Sequence, residues 1–124
     1  MKGVTIPSGG TIVESGSNAN GSYIKWSDGT MICMKEVSEN VTWSTWGNYW
    51  QESSSINLGD FPVAFKSGTV PLEIVQNKNA AAAMASGGAS SVSNTSAGTM
   101  RVYRPNNPGT VTATIDVIAI GRWF

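Results

Sequence analysis

Histidine is missing from the 124 residues, and Cys33 is the only cysteine. Without an imidazole the chain has no Ser-His-Asp or Cys-His catalytic arrangement and no His-ligated metal site. With one thiol it has no intrachain disulfide and no Cys-rich zinc site. Cys33 falls inside a strand-like run, where a small buried hydrophobe is the expected role. Charge is scarce as well: Asp, Glu, Lys and Arg make up 13% of the chain, and the eight acids cancel the eight bases. No net field draws such a chain to nucleic acid or to an anionic membrane. Solubility therefore rests on Ser, Thr, Asn and Gly. No apolar run approaches the ~20 residues that span a bilayer, and the N-terminus lacks the charged-then-apolar layout of a secretion signal. The expectation is a protein made in soluble form, without membrane insertion.

What remains is β-forming sequence cut by Gly, Pro and Asn. The length suits one domain that buries its own core. Residues 1–21 hold Pro7-Ser8-Gly9-Gly10 and Gly16-Ser17-Asn18-Ala19-Asn20-Gly21 around one strand-like run, Thr11-Ile12-Val13-Glu14. They read as a connector with a possible short strand, leaving residues 22–124 as the domain proper. Residues 21–37 read as a β-hairpin turning at Asp28-Gly29, a pair that tolerates positive φ. In its second strand Met31, Cys33 and Val37 alternate with Ile32, Met34 and Glu36. Apolar side chains on both faces imply cover on both, from a second sheet or from another subunit.

Residues 38–60 are polar apart from Trp43, Trp46, Tyr49 and Trp50, and read as an irregular loop with at most one short turn. Phe61-Pro62-Val63-Ala64-Phe65 reads as a short strand. Residues 70–76 read as another, with Leu72 and Ile74 on its half-buried side against Glu73. Residues 79–86 contain four consecutive alanines and favour helix on propensity, but the run is too short to hold one unaided. They and residues 89–96 read as two successive hairpins ending in residues 99–104. Pro105-Asn106-Asn107-Pro108-Gly109 is a turn. Beyond it lies the longest strand candidate. Val111, Ala113, Ile115, Val117, Ala119, Gly121 and Trp123 share one of its faces, while the other changes from Thr110, Thr112, Thr114 and Asp116 to Ile118 and Ile120. This strand is expected to start exposed on one side, to end buried on both, and to lie centrally. About seven to nine short strands without a convincing helix give an all-β chain, an antiparallel β-sandwich.

Three segments together resemble a known family. They are Asn18-Ala-Asn-Gly-Ser-Tyr-Ile-Lys-Trp-Ser-Asp-Gly-Thr-Met-Ile-Cys33, then Trp46-Gly47 through Tyr49 to Phe61-Pro62-Val63-Ala64-Phe65, and finally Ile118-Ala-Ile-Gly-Arg-Trp123. In this order and spacing they resemble the C-terminal head domain of tail-fibre receptor-binding proteins from phages and prophages, especially those of Gram-positive hosts. The resemblance implies a β-sandwich head, jelly-roll-like or similar, forming a homotrimer at the tip of a virion tail fibre. It also implies an upstream fibre shaft as neighbour, synthesis in the host cytoplasm, no catalysis and no cofactor. Its partner would be a bacterial surface glycan or surface protein. Residues 76–107 match the family in composition only.

The candidate binding residues are Trp43, Tyr49, Arg101, Tyr103, Arg104 and Asn106. Flat aromatic faces stack on the C–H-lined faces of sugars, and the ring cluster of residues 43–50 sits among Ser and Asn that hydrogen-bond hydroxyls. Trp46 is set apart from that cluster, because large indoles are highly buried on average, and is expected to plug the end of the fold. Arg101, Tyr103, Arg104, Asn106 and Asn107 form the most polar, turn-rich edge of the poorly matching region, where function concentrates. A glycan hydrolase would need an acid and a base in one cleft. Asp28 is explained by its turn, and Glu36, Glu39, Glu52, Asp60 and Glu73 share no motif. Asp116, where its strand changes character, is explained by a strand-edge hydrogen bond. Asn18, Asn20 and Asp28 lack the spacing of a calcium loop. The alternatives to receptor binding are a trimerisation or capping module, a stand-alone carbohydrate-binding module, and a hydrolase.

Overall fold

The structure, a computed structural model, describes residues 10–78, 84–85 and 89–124. The chain is all-β and antiparallel, with no helix among these residues. Its strands are β1 (Ile12–Asn18), β2 (Gly21–Trp26), β3 (Thr30–Val41), β4 (Trp43–Trp46), β5 (Trp50–Ser53), β6 (Ile56–Asn57), β7 (Leu72–Asn77), β8 (Met84–Ala85), β9 (Thr99–Met100), β10 (Val102–Arg104) and β11 (Val111–Arg122). They form a five-stranded sheet in the order β1-β2-β3-β11-β7, a four-stranded sheet in the order β4-β5-β10-β8, and the pair β6-β9.

The β2–β3 hairpin turns at Asp28-Gly29. Asp28 Oδ1 accepts from Thr30 N at 2.8 Å, and Gly29 N donates to the Trp26 carbonyl at 3.1 Å. Gly29 takes a φ of 97°, which strains any L side chain. The end of the chain is tied to this turn. Arg122 donates to the Asp28 carbonyl at 2.6 Å, Trp123 Nε1 to the Trp26 carbonyl at 2.9 Å, and Trp123 N to the Gly29 carbonyl at 2.9 Å. Close by, a Cβ on Gly121 would lie 2.9 Å from the Phe65 ring, so a glycine is needed for that ring to approach. Residues 12–18, within the stretch read as a connector, extend the sheet as its edge strand β1.

β11 pairs with β3 along its whole length and with β7 on its other side, as its interior position requires. Met31, Cys33 and Val41 of β3 and Ala113, Ile115, Val117 and Ala119 of β11 are buried on one face. Ile56, Leu58, Phe61, Phe65, Ala97, Met100 and Val102 join them in a single core. Burial pushes the Cys33 thiol up to about 11, so it behaves as a small hydrophobe. The Phe61–Phe65 segment is irregular rather than a strand. Its amides are satisfied across the core instead: Phe61 N donates to Thr95 O at 2.9 Å and Phe65 N to Asn94 O at 2.8 Å.

Three further expectations are corrected here. Ile118 and Ile120 do not end buried on the second face of β11; they are half-buried, and no second layer covers that face among the described residues. In β7 the register places Glu73 opposite Ala119 and Val75 opposite Val117, on the inner face. Leu72 and Ile74 therefore point outward, 64% and 54% exposed. Residues 38–60, read as an irregular loop, instead hold β4, β5 and β6. The alanines at 80–83 and the Gly87-Gly88 turn lie outside the described residues. Met84–Ala85 pairs with β10.

Candidate functional site

The β4–β5 hairpin turns through Gly47, Asn48 and Tyr49, with Gly47 at a φ of 67°. Its pairing sets Trp46 opposite Trp50 and Ser44 opposite Glu52. β10 then lies against β5 with Tyr103 opposite Glu52. Alternation brings Ser44, Trp46, Trp50, Glu52, Arg101 and Tyr103 to one side of this small sheet and sends Trp43, Ser53 and Val102 to the other. The second set is structural. Ser53 and Val102 are fully buried, and Ser53 Oγ accepts from Val102 N at 3.0 Å.

The outward set forms a polar-rimmed aromatic surface. Trp46 and Tyr103 meet with ring centroids 5.1 Å apart at 52°. Trp46 is 53% exposed and Tyr49, at the hairpin tip, 81%. Glu52 organises the polar side. Tyr103 Oη donates to Glu52 Oε2 at 3.1 Å, and Arg101 Nη1 donates to Glu52 Oε1 at 3.3 Å and to the Ser53 carbonyl at 2.9 Å. Burial first, then this bond to Glu52, pushes the Tyr103 hydroxyl above its ordinary range. The surface thus offers flat ring faces beside a carboxylate acceptor and a guanidinium donor, which suits a hydroxyl-rich ligand with apolar faces.

Of the residues singled out from sequence, Arg101 and Tyr103 lie within this surface and Tyr49 at its edge. Arg104 alternates to the other side of β10, where its Nε donates to Asn106 Oδ1 at 3.2 Å. Trp43 packs against the core, and its indole N–H is buried without an acceptor among the described residues. Trp46, expected as a plug, is corrected to an exposed ring. Trp50, read only as part of the ring cluster, and Glu52, passed over among the scattered acids, join the surface without having been named as binding residues. The signal for them was Gly47-Asn48 itself, a tight-turn pair between two β-forming runs.

The carboxylates have one notable meeting. Glu36 and Asp116 are direct cross-strand partners on the outer face of the large sheet, and Lys78 bridges both, 3.6 Å from Asp116. Hydrogen bonding to Glu36 and then the field of Asp116 push the Lys78 ammonium up. These acids border a shallow depression of about 460 Å³ floored by Met34, Ile74 and Ile118. Lys78 thus ties both carboxylates into ion pairs on the face of the sheet. Among the described residues no group of three His, Cys, Asp or Glu side chains could hold a metal ion. No family model, curated protein or solved structure matches this chain.

Proposed function

We propose that this chain is the receptor-binding head domain of a phage or prophage tail fibre, a non-catalytic β-sandwich that adheres to a bacterial surface glycan. It acts as a homotrimer beyond an upstream fibre shaft, at the tip of the virion's tail fibre. The observation that carries the reading is the exposed aromatic surface of β4, β5 and β10. Three rings there, Trp46, Trp50 and Tyr103, stand beside the Arg101–Glu52 pair on a scaffold fixed by Ser53. Aromatic platforms of this kind have few rotatable bonds to immobilise, so they contribute contact area at low entropic cost. Each ring gives weak binding alone. Repetition across subunits turns weak sites into firm adhesion.

The three family-like segments support the same reading from another direction. Parts of all three converge at one end of the five-stranded sheet, where the Asp28-Gly29 turn, Phe65 and the Gly121-Arg122-Trp123 ending meet. That end closes the fold, and the start of the second segment carries Trp46 and Tyr49 to the aromatic surface.

The test is adsorption of labelled protein to intact bacteria, before and after periodate oxidation of surface glycans and after protease treatment. Binding lost with periodate and kept after protease is expected. The reverse pattern would indicate a protein receptor. Replacing Trp46 or Tyr103 by Ala is expected to weaken adsorption about tenfold per site, the size of a ring contact of ~1.4 kcal/mol. Unchanged adsorption by both variants, with circular dichroism unaltered, would overturn the assignment of this surface.

A further inference from the structure

The guanidinium of Arg101 uses only part of its donor capacity inside the fold. Its Nη1 donates to Glu52 Oε1 at 3.3 Å and to the Ser53 carbonyl at 2.9 Å. Its Nε and Nη2 have no acceptor among the described residues. A guanidinium carries five N–H donors in a rigid planar fork, and one edge of that fork takes both oxygens of a carboxylate in parallel bonds. The edge made by Nε and Nη2 is open here. It is also held in place, because the carbonyl that anchors Nη1 belongs to Ser53, which is fully buried and bonded to Val102 N.

The acceptors of the same surface are already engaged. Glu52 Oε1 holds the Arg101 donor and Oε2 holds the Tyr103 hydroxyl, which has thereby given its one hydrogen. Donors are therefore left over, and a ligand has to bring acceptors. The Arg101 side chain is 43% exposed and that of Glu52 23%, so the cation is the more open partner of the pair. An anion arriving from solvent meets the guanidinium before the acid.

Register puts this open edge in line with the rings. Trp46 and Trp50 form one row on the outward side, Glu52 and Tyr103 the next, and Arg101 lies two residues from Tyr103 along β10. With rows ~6.8 Å apart, the guanidinium row lies ~13 Å from the indole row, the reach of a short oligosaccharide.

We infer that this surface takes an acidic glycan, whose sugar faces stack on Trp46, Trp50 and Tyr103 while a carboxylate borne on a sugar ring, of the uronate kind, occupies the Nε–Nη2 edge of Arg101. The inference rests on the glycan-binding reading of the surface and names the class of glycan. A hydroxyl offers that edge one oxygen and brings a hydrogen that needs an acceptor of its own. A carboxylate brings two acceptors in the plane of the fork and no donor, and its charge makes each bond about twice as strong. A ring carboxylate is moreover fixed relative to the sugar face that the indoles hold. A phosphodiester joins sugars through rotatable bonds, which binding would have to immobilise.

The test uses polysaccharide extracted from bacteria that adsorb the protein, immobilised and titrated with the full chain. Carbodiimide-activated borohydride reduction converts its carboxylates to neutral hydroxymethyl groups and leaves phosphodiesters, whereas cold hydrofluoric acid cleaves phosphodiesters and leaves uronates. Reduction is expected to weaken binding about tenfold or more, the size of a charge-assisted bidentate contact, and hydrofluoric acid to leave it unchanged. Arg101→Ala is expected to weaken binding to the native polysaccharide by the same factor and to bind the reduced polysaccharide as the wild type does, which also reports an intact surface. Arg101→Lys keeps the charge without the fork and is expected to recover only part of the loss. Binding that survives carboxyl reduction, or that is lost to hydrofluoric acid instead, overturns the inference and leaves the glycan-binding reading standing. Arg101→Ala that weakens binding to native and reduced polysaccharide alike also overturns it, since Arg101 would then only support the rings. Adsorption to no bacterium at all removes the glycan-binding reading and this inference with it.

Discussion

Ile115→Ala is expected to destabilise the subunit by about 2–5 kcal/mol, a large part of the ~5–15 kcal/mol that holds a domain of this kind together. Ile115 is fully buried at the middle of β11, with Val37 opposite on one side and Asn77 on the other. Its flanking inner residues, Ala113 and Val117, are too small to swing into the space its side chain leaves. The cost therefore includes the cavity as well as the lost transfer energy. Val70→Ala, at a position 65% exposed, is expected to change stability by no more than about 0.5 kcal/mol. Urea unfolding measures both. A fall in the midpoint at constant slope for Ile115→Ala is the expected result, and a midpoint shared with Val70→Ala would show that the core is not organised around β11.

The alternation of β11 was legible because its inner face is apolar for its whole length, so any register with β3 buries the same residues. β7 was not. Its run Leu72-Glu73-Ile74-Val75 carries apolar residues in both phases, and only the pairing of Ile74 with Ile118 decides which phase turns inward. That pairing is a long-range fact about a strand some forty residues away in the chain. The aromatic surface was half legible for a similar reason. Trp46 and Trp50 are neighbours through hairpin pairing rather than through any helical spacing, and Tyr103 reaches them only because β10 lies beside β5. A ring cluster in sequence identifies the material of a site, whereas the face on which each ring stands is set by strand pairing. Trp43 and Trp46 show the difference, since they bracket one short strand and end on opposite sides of it.

The inward phase of β7 has a measurable consequence at Glu73. Its side chain is half-buried, and both carboxyl oxygens are shielded from water with no hydrogen-bond donor among the described residues. Burial pushes this carboxyl up to about 7, and the ammonium of Lys35 offsets only part of the effect because it is engaged elsewhere, donating to the Asp60 carbonyl at 2.7 Å. The ordinary value is 4.5. Between these values the folded chain keeps a proton that the unfolded chain releases, so stability falls as pH rises through that window and levels off above about 7. Discounted for the water that reaches part of the side chain, the loss is about 2 kcal/mol. Glu73→Gln keeps the shape and stays neutral at every pH. It is therefore expected to raise the melting temperature by several degrees near pH 8 and to leave it unchanged near pH 4, where the wild-type carboxyl is already protonated in both states. Thermal melts of the two proteins across this range check the expectation. Parallel profiles would mean that the Glu73 carboxyl is solvated in the folded chain and that β7 does not hold it against the core.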